Sequence, residues 1–326
     1  MQYSRKGEVN KFFHRINWEK SMVYIIFVAV FIIFSLTLGD RGFLSSTNLL
    51  NVMRQTAMIS IMSVAGTFVL ASGQIDLSVG SVAAMTAMIV ALTIQSTNSI
   101  FLALLLGLIF GLIVGIINGL LVTKLKIPAF LTTLGTMQMI RGSAMWITDT
   151  AAVPITNKTY NTVFGIGSIA GVPVLIIWTI VFFIVGTYVF NTTIFGRHTL
   201  ATGGNEISAK YSGVNTDRVK LKVFMMSSAF ASFAGILYAG RMQAGRYSFG
   251  NGDEMSVIAS VVLGGAAMSG GTGSVLGTLV GSLLMGIISN ALILGGLSSS
   301  QQTIVQGFII VAAVGISNIV QGKNKK

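Results

Sequence analysis

The chain carries very few residues able to do chemistry. It has no cysteine, so disulfides, thiolate metal sites and cysteine nucleophiles are excluded. Its two histidines are far apart, His14 in a charged N-terminal tail and His198 just after an apolar segment, which leaves no histidine cluster for a metal. Nine acidic residues accompany 21 basic ones. Of the nine, only Asp76 is expected within the hydrophobic part of the chain. It sits in Gly73-Gln74-Ile75-Asp76-Leu77-Ser78-Val79-Gly80-Ser81, where glycines and small polar residues interrupt two apolar runs. Two readings of Asp76 stand side by side. A carboxylate in hydrocarbon is costly unless paired or hydrated, which makes it a functional candidate by default. Alternatively, Asp76 or Ser78 accepts backbone N–H bonds where the next helix begins, as a cap at a helix break.

A second informative stretch runs from Gly196 to Val214. After Gly203-Gly204, Asn205 reads as an N-cap, and a short helix containing Glu206 and Ala209 follows, with Ser212 and a stop at Gly213. A short amphipathic helix between two glycine signals suits docking to a cytoplasmic partner; the plainer reading is a solvated basic loop. The glycine-rich Gly270-Gly271-Thr272-Gly273 lacks a G-K-[ST] ending, and no Walker A pattern occurs anywhere, so any ATP used with this chain, and its Mg, binds to another subunit.

The elements that must position these residues are set by composition. Of 326 residues, 53% are apolar and 9% are charged, against about 25% charged in a soluble domain. The mean hydropathy is +0.81. The expectation is therefore an all-α polytopic membrane protein. Ten apolar runs serve as spans: 22–38, 50–72, 77–95, 100–122, 128–147, 173–193, 222–241, 255–269, 274–295 and 302–320. This divides the chain into an N-terminal tail (1–21), one transmembrane domain (22–320) with a cytoplasmic loop at 194–222, and a C-terminal tail (321–326). Fifteen of the 21 basic residues fall in residues 1–20, 124–126, 197–222 and 323–326. With both termini cytoplasmic, ten spans put all four clusters on the inner face, as the positive-inside rule requires. Aromatic residues do not interleave with the basic ones, so nucleic acid is not an expected partner of the +12 net charge.

Gly107, Gly111, Gly115 and Gly119 recur every fourth residue, and Gly273, Gly277 and Gly281 repeat the spacing near the C-terminus. In lipid, such grooves allow close helix–helix approach, so tight packing is their simplest role. The ladders lie five spans apart and end alike, in Gly115-Ile116-Ile117-Asn118 and Gly286-Ile287-Ile288-Ser289-Asn290. Five is odd, so a duplicated five-span unit is inverted, the arrangement many transporters use.

The residues carry a family resemblance from about Asn48 to about Val314. It rests on Ile75-Asp76-Leu77-Ser78-Val79-Gly80-Ser81, Pro128-Ala129-Phe130-Leu131-Thr132-Thr133-Leu134-Gly135, Gly203-Gly204-Asn205-Glu206 with Ser212-Gly213, Val262-Leu263-Gly264-Gly265, and Ser269 through Thr278. In this order they are similar to the inner-membrane permease subunits of bacterial ABC importers for simple sugars, the ribose-type group. The resemblance implies a second permease copy or close paralogue, a cytoplasmic ATPase that binds ATP and Mg, and an extracytoplasmic binding protein that delivers a sugar such as ribose. It also implies that residues 203–213 couple to the ATPase. Gln74 stands where the family usually has glycine, and Ser256 near where it has an acidic residue, with Glu254 retained; these departures bear on which sugar is carried. A neutral, hydroxyl-rich cargo calls for small polar groups along a path, and Gln74, Asp76, Ser78, Asn118, Thr133 and Asn290 are the candidates, each equally able to make an interhelical hydrogen bond. The runner-up is an ion-coupled secondary transporter sharing the inverted repeat. An intramembrane enzyme is disfavoured, because no histidine, paired carboxylate or serine–base pair falls in the spans.

Overall fold

A computed structural model describes residues 18–323. Most of the N-terminal tail and the last three residues therefore lie outside the described part. The chain is helical, as the composition requires: α1 (Trp18–Thr37), α2 (Ser46–Ala71), α3 (Val79–Thr97), α4 (Ile100–Thr123), α5 (Ala129–Ile147), α6 (Lys158–Asn161), α7 (Val174–Thr192), α8 (Ile194–Gly204), α9 (Glu206–Tyr211), α10 (Thr216–Met242), α11 (Asp253–Leu263), α12 (Val275–Leu294) and α13 (Ser299–Lys323). Among the described residues, α2, α3, α4, α7, α10 and α12 are each long and apolar enough to cross a membrane. All ten expected runs fall on helices, though not all as full spans. The run at 255–269 forms only the 11-residue α11. At 1.5 Å per residue, α11 covers about 16 Å, half the hydrocarbon thickness.

The helices begin where the sequence supplies caps. Ser45, Ser99, Asn215 and Ser274 each accept a backbone N–H in the first turn of the helix that follows. Helices α2, α3 and α10 form the packed centre, with Met58, Ile61, Met62, Val82, Met88, Ile236 and Leu237 fully or almost fully buried. Helix α4 lies on α10 through its glycine ladder: a Cβ on Gly111 would stand 2.5 Å from Cβ of Ser232, and one on Gly115 2.6 Å from Cα of Met225. Helix α12 leans on α11 through Gly277 and Gly281 and is tied to α2 by Ser60–Ser282 (2.8 Å) and Thr67–Thr278 (2.8 Å). Gly273 lies before α12 rather than in it, since Ser274 is the cap. The segment between α5 and α7 is stapled down at the other end of the bundle. Val153–Pro154 pairs antiparallel with Ala244–Gly245, and the fully buried Tyr160 donates to the carbonyl of Ile236 at 2.7 Å.

Two non-helical segments turn back into the bundle. Residues 72–78 join α2 to α3. Residues 243–252 join α10 to α11 by running down the side of α3: Gly245 packs on the carbonyl of Ala87, and Gly250 on Gly80. Gly80 is 17 residues, about 25 Å of helix, from the far end of α3 at Thr97, so this segment reaches deep into the bundle.

Candidate functional site

The first break is a buried polar node in which both Asp76 oxygens are engaged and the Oδ1 of Asn118 is left without a partner. Asp76, 5% exposed, accepts from Ser78 twice through Oδ1, from the backbone N–H at 2.9 Å and from the hydroxyl at 2.6 Å. Its Oδ2 accepts from the Ser227 hydroxyl of α10 at 2.7 Å. Asn118, on α4, donates to the Ser78 hydroxyl at 3.1 Å. Thr133, on α5, donates to the carbonyls of Ala129 (2.9 Å) and Ile75 (3.3 Å). Asp76 therefore acts as a turn-forming acceptor at the start of α3, where unpaired N–H groups need one. Of the polar residues singled out by sequence, Asp76, Ser78, Asn118 and Thr133 are brought together here. Asn290 is elsewhere, in a reciprocal amide pair with Asn48 (2.9 and 3.0 Å) between α12 and α2. Gln74 lies at the basic end, in the wall of a cavity of about 430 Å³ shared with Lys126, Glu206, Ile207, Lys210 and Lys220. Ser227 lies outside the candidates read from the sequence; its one signal is the Ser227-Ser228 pair in the apolar middle of α10.

The second break corrects an expectation. Asp76 is not alone at depth: Glu254, in the first turn of α11, is 8% exposed, and Asp253 beside it accepts from the Tyr238 hydroxyl at 2.5 Å. The flanking Gly250-Asn251-Gly252 reads as a surface turn, which hid both residues. Arg141 of α5 also points here. It donates to the carbonyl oxygens of Tyr247, Phe249 (2.8 Å) and Gly250 (3.4 Å).

At the basic end the start of the first break meets the end of α8 and the loop after α11 in a contact made almost wholly of backbone. The N–H of Gly271 donates to the carbonyl of Ala71 at 2.9 Å. Gly203 and Gly204, the end of α8, lie directly against Ala71 and Gly271, and a Cβ on Gly270 would stand 2.9 Å from Cα of Gly73. Side chains at these positions would force the three segments apart.

The short helix follows this junction as the sequence indicates. Asn205 caps α9 by accepting from the Ser208 N–H (2.9 Å), Ala209 is buried on its inner face, the Ser212 hydroxyl donates to the Ser208 carbonyl at 2.9 Å, and Gly213 takes a left-handed φ of +85°. Glu206 points inward rather than out. It bonds Lys220 of α10 at 2.7 Å and Lys210 at 2.9 Å and accepts from Thr216 at 3.2 Å. Partial desolvation, the largest single effect, raises its pKa, but the hydrogen bonds and charges of Lys220 and Lys210 together outweigh it and bring the carboxyl to about 2. What α9 presents to solvent is Ile207, 69% exposed, and Tyr211, 90% exposed. Their i, i+4 spacing was the available signal for this face.

Residues 48–314 match the family described as branched-chain amino acid transport system / permease component. The chain belongs to that family. A probable ABC transporter permease protein of Escherichia coli (strain K12) is 40% identical over 296 residues, 91% of this chain and 88% of the relative. The ribose import permease protein of Bacillus subtilis (strain 168) is 39% identical over 292 residues, 89% of each chain. The L-arabinose transport system permease protein of Escherichia coli (strain K12) is 36% identical over 297 residues, 91% and 90% of the two chains. No solved structure matches. The chain is thus a multi-pass membrane permease component of an ABC importer and not itself an enzyme; ATP hydrolysis lies in a partner ATPase.

Proposed function

We propose that this permease forms the translocation path for a simple sugar, ribose or a related monosaccharide, handed over by a soluble binding protein. The observation that carries the reading is the segment 243–252. It lies deep in the bundle, its backbone is not helical, and Arg246, Ser248, Asn251 and Gly252 are exposed. Non-helical backbone at membrane depth is tolerated only where it is buried in protein or lines an aqueous space. Beside it, α5 has only Thr132, Thr133 and Ala144 buried and leaves much of its length without a partner in this chain. Segment and helix together fit one wall of a path completed by a second permease copy, a homodimer or a pair of close paralogues. The wall offers hydroxyl, amide and backbone groups suited to a neutral polyol, and the relatives named for ribose and arabinose favour a sugar over an amino acid.

The same reading takes all ten expected runs as membrane segments, with α11 crossing only half the bilayer and both termini on the basic, cytoplasmic face. Supporting a five-plus-five inverted repeat, α2–break–α3 parallels α10–break–α11. The glycine ladder of α4 packs on α10 while α12 is tied to α2, and Gly250 of the second break packs on Gly80 just past the first. Ile207 and Tyr211 form the docking face for the ATPase, and Glu206 holds α9 in place for it.

The ion-coupled alternative loses its main residue, since both Asp76 oxygens are engaged by serines. Proteoliposomes containing the permease, its ATPase and the binding protein test the proposal. Ribose or a related monosaccharide should accumulate with ATP and with the binding protein present, and accumulation should survive collapse of the ion gradient. Uptake that follows the gradient and ignores ATP would falsify it.

A further inference from the structure

Arg141, Asp253 and Glu254 bring one positive and two negative side chains to the inner end of segment 243–252, yet no ion pair joins them among the described residues. Asp253 is bonded to Tyr238. Arg141 spends its donors on the neutral carbonyls of Tyr247, Phe249 and Gly250. Glu254 is more than nine-tenths buried, and its Oε2 has no hydrogen-bond partner. The unpaired oxygen is not remote from the arginine's partners. A Cβ on Gly80 would collide with the Gly250 carbonyl oxygen and stand 2.7 Å from Oε2 of Glu254, so both oxygens crowd one point. A buried carboxylate oxygen left unpaired beside a guanidinium that serves carbonyls is costly, and a small movement of the segment offers a better partner.

We propose that Arg141 is a latch: bound to the three carbonyls it holds segment 243–252 shut across the path, and on opening it exchanges them for Glu254. Two arrangements of one arginine, each well bonded, give the discrete alternatives that gating requires. Arg141 and Glu254 are positioning residues here. The exchange rests on the path reading above, because only a segment lining the path gates it.

The natural absence of cysteine makes a direct test possible. Phe249, partly buried on the segment against Tyr238, is changed to Phe249→Cys in the permease assembled with its ATPase in proteoliposomes. Labelling of the permease by a charged, membrane-impermeant methanethiosulfonate is then timed. Arg141→Met should label about tenfold faster at rest than the Arg141 parent, because charge-assisted hydrogen bonds to the segment are gone. Arg141→Lys, which keeps the charge but not the fork, should fall between and carries the test if Arg141→Met does not assemble. During ATP turnover the parent should label faster than at rest, and Glu254→Gln should not. Equal resting rates in the parent and the arginine variants, or an equal rise in Glu254→Gln, overturns the latch. Labelling requires no knowledge of the cargo. Failure of every sugar to accumulate therefore sinks the substrate reading alone, whereas uptake with unchanged labelling sinks the latch alone.

Discussion

The two helix breaks lie close together, with Gly250 of the second packed on Gly80 just past the first, but use their polar groups in opposite ways. At 72–78 the carboxyl of Asp76 accepts three hydrogen bonds, from two residues on two elements. At 243–252 the carboxyl of Glu254 keeps an oxygen unpaired, Arg246, Ser248 and Asn251 are exposed, and the carbonyls of Tyr247, Phe249 and Gly250 accept from one arginine on a lightly packed helix. Asn118 Oδ1 beside the first carboxyl is also unpaired, so the contrast lies in the two carboxyls: a buried charge with both oxygens satisfied rigidifies its surroundings, and one left partly unpaired marks a place where another arrangement competes. The first break therefore reads as fixed scaffold and the second as the moving part, although the sequence makes the first look the more functional.

Removing Asp76 is the hardest blow to this contrast. Asp76→Ala leaves the Ser78 N–H and two serine hydroxyls without an acceptor in a dry site, and should cost about 3 kcal/mol, read as a lower thermal midpoint and yield in detergent. A variant as stable as the parent would mean that the first break is no more fixed than the second. Next in size is Gly111→Leu. Helices α4 and α10 bring Asn118 and Ser227 to the node, and a side chain at Gly111 drives into Ser232 between them. The expected loss is about 2 kcal/mol from overpacking. Unchanged midpoint and yield would show that the clamp on the first break does not depend on the ladder.

Much of this was open to inspection in the sequence, and the rest was hidden for physical reasons. Apolar runs of about twenty residues locate the helices because bilayer thickness sets their length. The capped helix after Gly203-Gly204 was legible because Asn205 and Gly213 act locally. Depth was not legible. Glu254 follows Gly250-Asn251-Gly252-Asp253, which looks like an exposed turn, and only the descent of the chain along α3 carries it inward. Arg141 lies in an amphipathic stretch whose partners are main-chain carbonyls 106 to 109 residues away, and no side-chain pattern announces such a bond. Glu206 was visible as a charge but not as an inward-facing one, because Lys220 reaches it from another helix.

A smaller change should act with the opposite sign at the second break. Glu254→Gln keeps the shape, removes a buried charge and adds an N–H donor close to the Gly250 carbonyl. It should raise the thermal midpoint, by about 1 kcal/mol of stability, while uptake falls because the shut arrangement is favoured. By contrast, Asp76→Asn gives up part of a satisfied set and should lower the midpoint. Midpoints moving the same way in both variants would erase the distinction between scaffold and gate.

The smallest effect on stability is expected at α9, which follows α8 and so adjoins the first break through the Gly73–Gly203–Gly270 contact and the cavity lined by Gln74. Glu206→Lys sets a third positive charge against Lys210 and Lys220. The site is about a third exposed, so the loss should stay under about 1 kcal/mol. Uptake should suffer far more, because α9 no longer holds its angle and ATP hydrolysis in the partner proceeds without accumulation. Acid offers the same perturbation reversibly. With the carboxyl lowered from 4.5 to about 2, the α9–α10 contact is at full strength above pH 4.5 and weakens as the pH falls from 4.5 toward 2. The dipolar coupling between spin labels attached at the exposed positions Ile207 and Lys222 should therefore be constant from pH 7 to pH 5 in the parent and decline only below that range. In Glu206→Gln the pH dependence should be absent; a decline surviving that substitution would place the acid-sensitive contact elsewhere, in one of the two breaks.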